Sequence, residues 1–144
     1  MKLNADCIRD VLLYLEEKLS IDSETKSFNS LTLNQIQTEF DSKYSKEDIL
    51  YSIYNLKEIR YIEGTFKNSS TSFMYICNIT NITWAGHQFI NSVRPKNVWD
   101  ATKNGAKKLG LMSMSALSMI ANEITKTIIT NPDVINNIVN SIHW

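Results

Sequence analysis

The spacing of apolar residues predicts the first element. Ile8, Val11, Leu12, Leu15 and Leu19 recur at i, i+3, i+4, i+7 and i+11, one face of an amphipathic helix over residues 5–19. Asn4 stands where an N-cap belongs, and Leu3 and Ile8 are placed as a hydrophobic staple. Residues 21–30 are polar and irregular. A second unit then opens at Leu31, where Thr32-Leu33-Asn34-Gln35 reads as a capping box ahead of a short helix over 33–40. Ser45-Lys46-Glu47-Asp48 resembles a capping box with Asp in place of Glu, and starts a third helix running to 58.

Residues 60–66 and 72–79 are rich in aromatic and β-branched side chains and flank the polar turn 67–71, so they predict a β-hairpin. Thr83 caps a fourth helix over 84–93 that Pro95 stops. A short strand near 28–31 would add a third strand beside the hairpin. Helix, short helix, capped helix, hairpin, helix is the order of a winged helix-turn-helix. The expected fold class is therefore α+β, mostly α: a three-helix core and β-hairpin wing over residues 1–94, followed by a helical extension over 95–144.

Beyond Pro95 the pattern changes. Asn97 is placed to cap a helix in which Trp99, Thr102, Ala106 and Leu109 share one stripe. From Leu109 to Asn122 fourteen residues carry no charge. A membrane span needs about 20 apolar residues; this run is shorter, rich in serine and ended by Glu123 and Lys126. Met114, Leu117, Ala121, Ile124 and Ile128, with Ile120 beside them, instead form a helical stripe. Pro132 breaks it, and Ile135, Ile138, Val139 and Ile142 predict a last amphipathic helix. Such one-sided faces either fold back on the N-terminal core or pair with another copy. Four helices and a hairpin leave too little core to cover both, so a homodimer or higher oligomer is expected through these residues.

Composition narrows the function. The chain has 144 residues, 43% apolar and 21% charged, enough to fold without a disulfide or metal. Cys7 and Cys77 lie in no metal or redox spacing and read as free, buried thiols of a reducing compartment. The N-terminal residues run into a charged amphipathic segment without an apolar h-region, so no signal peptide and a cytoplasmic setting in a bacterial host are expected. His87 and His143 are the only histidines, and neither has a Cys or carboxylate at a ligand spacing. His87, beside Trp84 and Phe89, reads as a packed or cap-supporting side chain rather than a base. With no glycine-rich phosphate loop, Gly-x-Ser-x-Gly or Cys-x-x-Cys, neither an enzyme nor a cofactor or metal site is expected.

Charge separates the candidate partners. Fifteen cations balance fifteen carboxylates overall, but residues 1–82 hold nine cations and twelve carboxylates, and residues 83–144 hold six and three. On a wheel of about 100° per residue, Ile49, Ile53 and Leu56 form the inner side of the third helix. The opposite face collects Glu47, Tyr51, Tyr54, Asn55 and Glu58, with Asp48 at its edge. Carboxylates facing a phosphate backbone are repelled, and Asn55 is the single clear base-reading side chain. Two tyrosines among carboxylates fit a protein-contacting face, or else pack against the wing or the C-terminal helices. Arg94, Lys96, Lys103, Lys107 and Lys108, broken only by Asp100, form a solvated face, a phosphate-binding surface or a match for the acidic unit of a second subunit. A DNA-binding alternative would use Lys46, Asn55, Lys57, Lys67, Asn68, Lys103 and Lys107. Peripheral membrane attachment through residues 109–128 has few flanking cations to support it.

Two blocks carry a resemblance: the opening Met1-Lys2-Leu3-Asn4-Ala5-Asp6-Cys7-Ile8, and Ile82-Thr83-Trp84-Ala85-Gly86-His87 followed by Val98-Trp99-Asp100-Ala101-Thr102-Lys103. They resemble the phage and prophage family known as domain of unknown function 2513, over most of the chain up to Gly110. The family more often has an acidic residue at the positions of Ala85 and Gln88. The resemblance implies a winged-helix-like fold and a mobile-element setting, and defines no functional residue. The expected function is non-enzymatic, acting through self-association and contact with an unidentified host or phage protein, a defence protein among them. The alternative is a sequence-specific DNA-binding regulator.

Overall fold

The computed structural model describes residues 1–131 together with Asp133, Asn136, Asn137 and Asn140. It is an α+β structure, mostly helical, in the order α1 (Ala5–Lys18), β1 (Ser20–Asp22), β2 (Ser27–Asn29), β3 (Leu31–Thr32), α2 (Leu33–Glu39), α3 (Lys46–Glu58), β4 (Ile62–Lys67), β5 (Ile76–Ile82), α4 (Trp84–Val93), α5 (Lys96–Leu109) and α6 (Met114–Thr130). Two compact units result, Met1–His87 and Gln88–Trp144, and the division falls inside α4 rather than at Pro95, where composition changes.

In the first unit, each helix start is made by a side chain that accepts from its own first turn. The Cys7 N–H donates to Asn4 Oδ1 at 3.1 Å. Thr32 and Gln35 form the full capping box, with Gln35 N–H to Thr32 Oγ1 at 3.2 Å and Thr32 N–H to Gln35 Oε1 at 2.8 Å. Asp48 N–H donates to Ser45 Oγ at 3.0 Å, but the Asp48 carboxylate does not complete a box; it accepts from Asn4 Nδ2 at 3.2 Å and so ties α3 to α1. Ile8, Val11, Leu12 and Leu15 of α1 are wholly buried, as are Ile49, Ile53 and Leu56 of α3, which packs on α1. Buried Ser52 hydrogen-bonds the Cys7 thiol within this core.

A second link pins the α2–α3 connection. Asp10 Oδ2 accepts from the Tyr44 hydroxyl at 2.6 Å and from Lys43 Nζ at 2.7 Å. The Tyr44 ring continues a chain of aromatic contacts through Phe40 to Tyr14. A hydrogen bond to a charged acceptor contributes about 1.5–3 kcal/mol, and Lys43 remains on Asp10 when the hydroxyl is removed. Tyr44→Phe is therefore expected to lower stability by about 1.5 kcal/mol in urea unfolding; a variant as stable as the parent would show that the bond contributes nothing net.

The three-stranded sheet has the order β3-β5-β4, antiparallel throughout. Leu31 stands opposite Ile79, Ile62 opposite Ile82 and Lys67 opposite Ile76, with a register shift at Glu63/Gly64. The strand expected near 28–31 divides. Leu31–Thr32 joins the sheet, whereas Phe28 belongs to a separate β1–β2 hairpin, paired with Ile21, in the stretch expected to be irregular. Asp22 Oδ1 closes that hairpin by accepting from Glu24 and Thr25 N–H, and Lys26 takes a left-handed conformation. The second strand of the expected hairpin, β5, begins at Ile76 rather than 72. Asn68 Oδ1 accepts from Met74 N–H and Ser69 Oγ from Ser72 N–H, so side chains occupy backbone donors that a ladder would have used. Thr83 Oγ1 accepts from Gly86 N–H at 3.1 Å, capping α4 as expected.

In the second unit α5 packs on α6. Val98, Trp99, Thr102 and Ala106 are buried on α5, and Met114, Leu117 and Ala121 on α6. Asn97 is not the cap of α5; Pro95 holds that position without a side-chain bond, and its carbonyl accepts from Trp99 N–H at 3.0 Å. Leu109, expected on the buried stripe, is 65% exposed. Gly110, at φ 68°, ends the helix there, and Leu111 N–H returns to the Ala106 carbonyl at 2.9 Å. On α6 the expected stripe is covered only in its first half, since Ile120, Ile124 and Ile128 are half-buried. Ile135, Ile138, Val139 and Ile142 lie outside the described residues. No helix of the described residues is long and apolar enough to cross a membrane.

Candidate protein-interaction surface

Steps of four, three and four residues place Glu47, Tyr51, Tyr54 and Glu58 on one stripe of α3, about 16 Å long at 1.5 Å per residue. The Tyr51 and Tyr54 rings stack at 6.3 Å and 16°. Phe73 meets Tyr54 edge-on at 5.2 Å and 70°. The loop between β4 and β5 makes this third ring available. Met74 takes a left-handed conformation, its side chain is buried, and its neighbours Phe73 and Tyr75 stay 50% and 71% exposed. Tyr54 thus meets the loop between β4 and β5, and both tyrosines keep part of their surface exposed.

Charge sits at both ends of the aromatic row. Glu47 is exposed, and exposed Glu58 has Lys57 at 3.5 Å. Lys57 also lies over the Phe66 ring. Asn55 is half-buried, and its Nδ2 donates to the Tyr51 carbonyl at 2.7 Å. Lys46 and Lys67 are exposed, whereas the Asn68 side chain is engaged inside its own loop. Lys103 and Lys107 are in the other unit: Lys103 lies over the Trp99 ring with Asp100 at 4.0 Å, and Lys107 is exposed. The sequence pattern puts Phe73 in a strand, whereas it lies in the loop ahead of β5, so the third ring is not legible from spacing. Three consecutive large side chains, Phe73-Met74-Tyr75, were the available signal, since alternation cannot bury all three on one face.

A second concave feature lies within the first unit. A cavity of about 150 Å³, mainly apolar, is bounded by Leu15, Leu19, Ile21, Phe28, Ile82 and His87. That volume matches cavities known to hold a single benzene-sized group. His87 is exposed at its rim, so it is neither packed nor cap-supporting: Thr83 makes the cap, and Trp84 one turn earlier is 79% exposed. The hairpin that walls this cavity has one apolar residue in each strand, Ile21 and Phe28, too few for alternation to reveal it.

Neither cysteine is poised as a nucleophile. Burial pushes both the Cys7 and Cys77 thiols up to about 11, away from the reactive thiolate. Among the described residues no three His, Cys, Asp or Glu side chains are grouped to hold a metal ion.

Relatives agree with the resemblance of the two sequence blocks. An uncharacterized protein of Haemophilus influenzae is 30% identical over 125 residues, spanning 86% of this chain and 95% of the relative. No solved structure matches. The sequence pattern of the family described as hypothetical protein (DUF2513) matches residues 2–112, from the segment preceding α1 through α5 and the turn that follows it. The chain belongs to the DUF2513 family.

Proposed function

We propose that this is a binding protein rather than an enzyme, in which a winged-helix unit over residues 1–94 offers α3 as a protein-contacting face. The order α1, β3, α2, α3, β4, β5 and the sheet order β3-β5-β4 support the winged-helix reading. The observation that carries the function is the row of partly exposed Tyr51 and Tyr54 and exposed Phe73, set between the carboxylates Glu47 and Glu58. Half-exposed aromatic rings beside charged groups are the usual anchors of protein interfaces. Groove entry is less well supported. The outer face carries two exposed carboxylates, and the Asn55 amide donates to its own helix. The partners are a second copy, supported by the half-covered Ile120, Ile124 and Ile128, and a protein of the host cell or phage.

A salt series on duplex DNA tests the reading. Binding is expected to be weak and without sequence preference; tight, sequence-selective binding that falls steeply with salt would establish the regulator instead. Tyr51→Ala and Tyr54→Ala are each expected to weaken capture of a protein partner by about tenfold or more, the scale of interface anchors, with circular dichroism unchanged. Undiminished capture by both variants would remove α3 from the interface.

A further inference from the structure

Six consecutive residues of the second unit, Lys107 to Met112, are all exposed. They join two cations to three large apolar side chains, with Leu109 65%, Leu111 53% and Met112 40% exposed. The turn is built. Gly110 N–H donates to the Lys107 carbonyl and Leu111 N–H to that of Ala106, the paired bonds of a Schellman motif. Ser113 Oγ then accepts from Ala116 N–H at 3.2 Å to start α6. The apolar side chains are thus held outward by a closed backbone rather than left on a frayed end. Among the described residues Lys107 and Lys108 have no carboxylate partner. Asp100 is shared by Lys96 and Lys103, and Glu123 faces Lys126.

We infer that this basic, apolar turn docks on the α3 face of a second copy of the chain, with its lysines against Glu47 and Glu58 and its leucines and Met112 on the rings of Tyr51, Tyr54 and Phe73. The inference rests on the reading of α3 as a protein-contacting face and names its first occupant. Complementarity carries it. The α3 face is aromatic with a carboxylate at each end of its stripe, and the turn is aliphatic with two adjacent cations. The two surfaces match: apolar area meets apolar area, and the ammonium groups meet Glu47, Glu58, which Lys57 already approaches at 3.5 Å, and the faces of the tyrosine rings. The opposite net charges of residues 1–82 and 83–144 have the same sense. Because each copy bears both surfaces, a closed dimer makes the contact twice, and a head-to-tail array makes it once per junction.

The test is the molar mass of the full chain by sedimentation, from about 0.05 M to about 0.5 M salt, with charge-reversed variants. Association is expected at low salt and at least tenfold weaker at high salt. Lys107→Glu with Lys108→Glu should be monomeric, and so should Glu47→Lys with Glu58→Lys. An equimolar mixture of these two variants should associate again, because each presents the charge that the other now needs. Recovery on mixing occurs only between molecules, so it excludes docking of the turn on its own chain. A monomer at every salt concentration overturns the inference, as does association that neither reversal alters, which is what contact through α6 alone would give. A wild-type chain that stays monomeric yet binds phosphatidylserine vesicles through Lys107 and Lys108 would assign the turn to a membrane surface. In each of those cases loss of partner capture in Tyr54→Ala would still leave the α3 face standing as an interface.

Discussion

Gly86→Ala is expected to destabilise the protein by about 2 kcal/mol, although glycine to alanine inside a helix ordinarily stabilises by about 0.5–1 kcal/mol. The reversal comes from what a Cβ would meet. It would stand 2.3 Å from the Tyr61 carbonyl oxygen and 2.8 Å from Ile82 Cγ2. The carbonyl cannot swing aside, because it accepts from Thr83 N–H at 3.0 Å while Thr83 Oγ1 donates to the Arg60 carbonyl at 2.7 Å. The same two residues close α3, with Arg60 left-handed at φ 61° and Tyr61 N–H returned to the Leu56 carbonyl at 2.9 Å. An added methyl must therefore lift α4 off the 60–61 turn or break the bonds that seat it. Overpacking of this kind costs about 1–3 kcal/mol. Gly105→Ala is the control. Its Cβ would meet side-chain methyls of Ile120 rather than backbone, Cγ2 at 3.3 Å and Cδ1 at 4.0 Å, and a change below about 1 kcal/mol in either direction is expected. Urea unfolding of both variants decides the matter; a neutral Gly86→Ala would mean that α4 does not sit on this turn.

What could be read from the sequence, and what could not, divides by the range of each interaction. Asn4, Thr32, Ser45 and Thr83 cap their helices through bonds to N–H groups three residues on, and local pattern identifies each of them. Asp48 reads locally as half of a capping box, yet its carboxylate serves Asn4 on another helix, which no local pattern encodes. The β1–β2 hairpin is not legible locally, because each strand has a single apolar residue, too few to show alternation. Leu109 fits the helical stripe by spacing and is exposed because the helix ends one residue later, at Gly110. At the candidate surface, the stripe of Glu47, Tyr51, Tyr54 and Glu58 follows from the wheel alone. Neither the third ring, Phe73, nor the engagement of Asn55 with the Tyr51 carbonyl does. A position facing outward on a wheel can still be spent on its own helix, as the Asn55 amide is.

Alkali is expected to weaken the first unit more than any of these substitutions, by about 4 kcal/mol between about pH 8 and about pH 11. Cys7 and Cys77 are both buried there, and burial pushes each thiol from 9.0 to about 11. Around Cys7 the Asp48 and Asp10 carboxylates act in the same direction as burial, and the Ser52 hydroxyl and Lys43 oppose it. A thiol with a raised folded-state value keeps its proton where the unfolded chain has released one. Its contribution to stability is therefore fully present below about pH 9 and is lost as pH rises toward 11. Each thiol accounts for about 2 kcal/mol by the top of that window, at about 1.4 kcal/mol per pH unit. Tyr44 acts in the same sense: burial, and its hydrogen bond to the charged Asp10, hold its hydroxyl protonated well above the usual tyrosine range. Loss of about 4 kcal/mol is a large part of the 5–15 kcal/mol by which folded domains are ordinarily stable. Urea unfolding at stepped pH gives the slope, and the Cys7→Ala, Cys77→Ala double variant separates the cause from general alkaline repulsion. That variant starts from lower stability, because two core side chains are shortened, but its decline above pH 9 should be much shallower, with the remainder carried by Tyr44. A slope equal to that of the parent would mean that the thiols titrate alike in the folded and unfolded chain, and that the core around Cys7 and Cys77 is open to water.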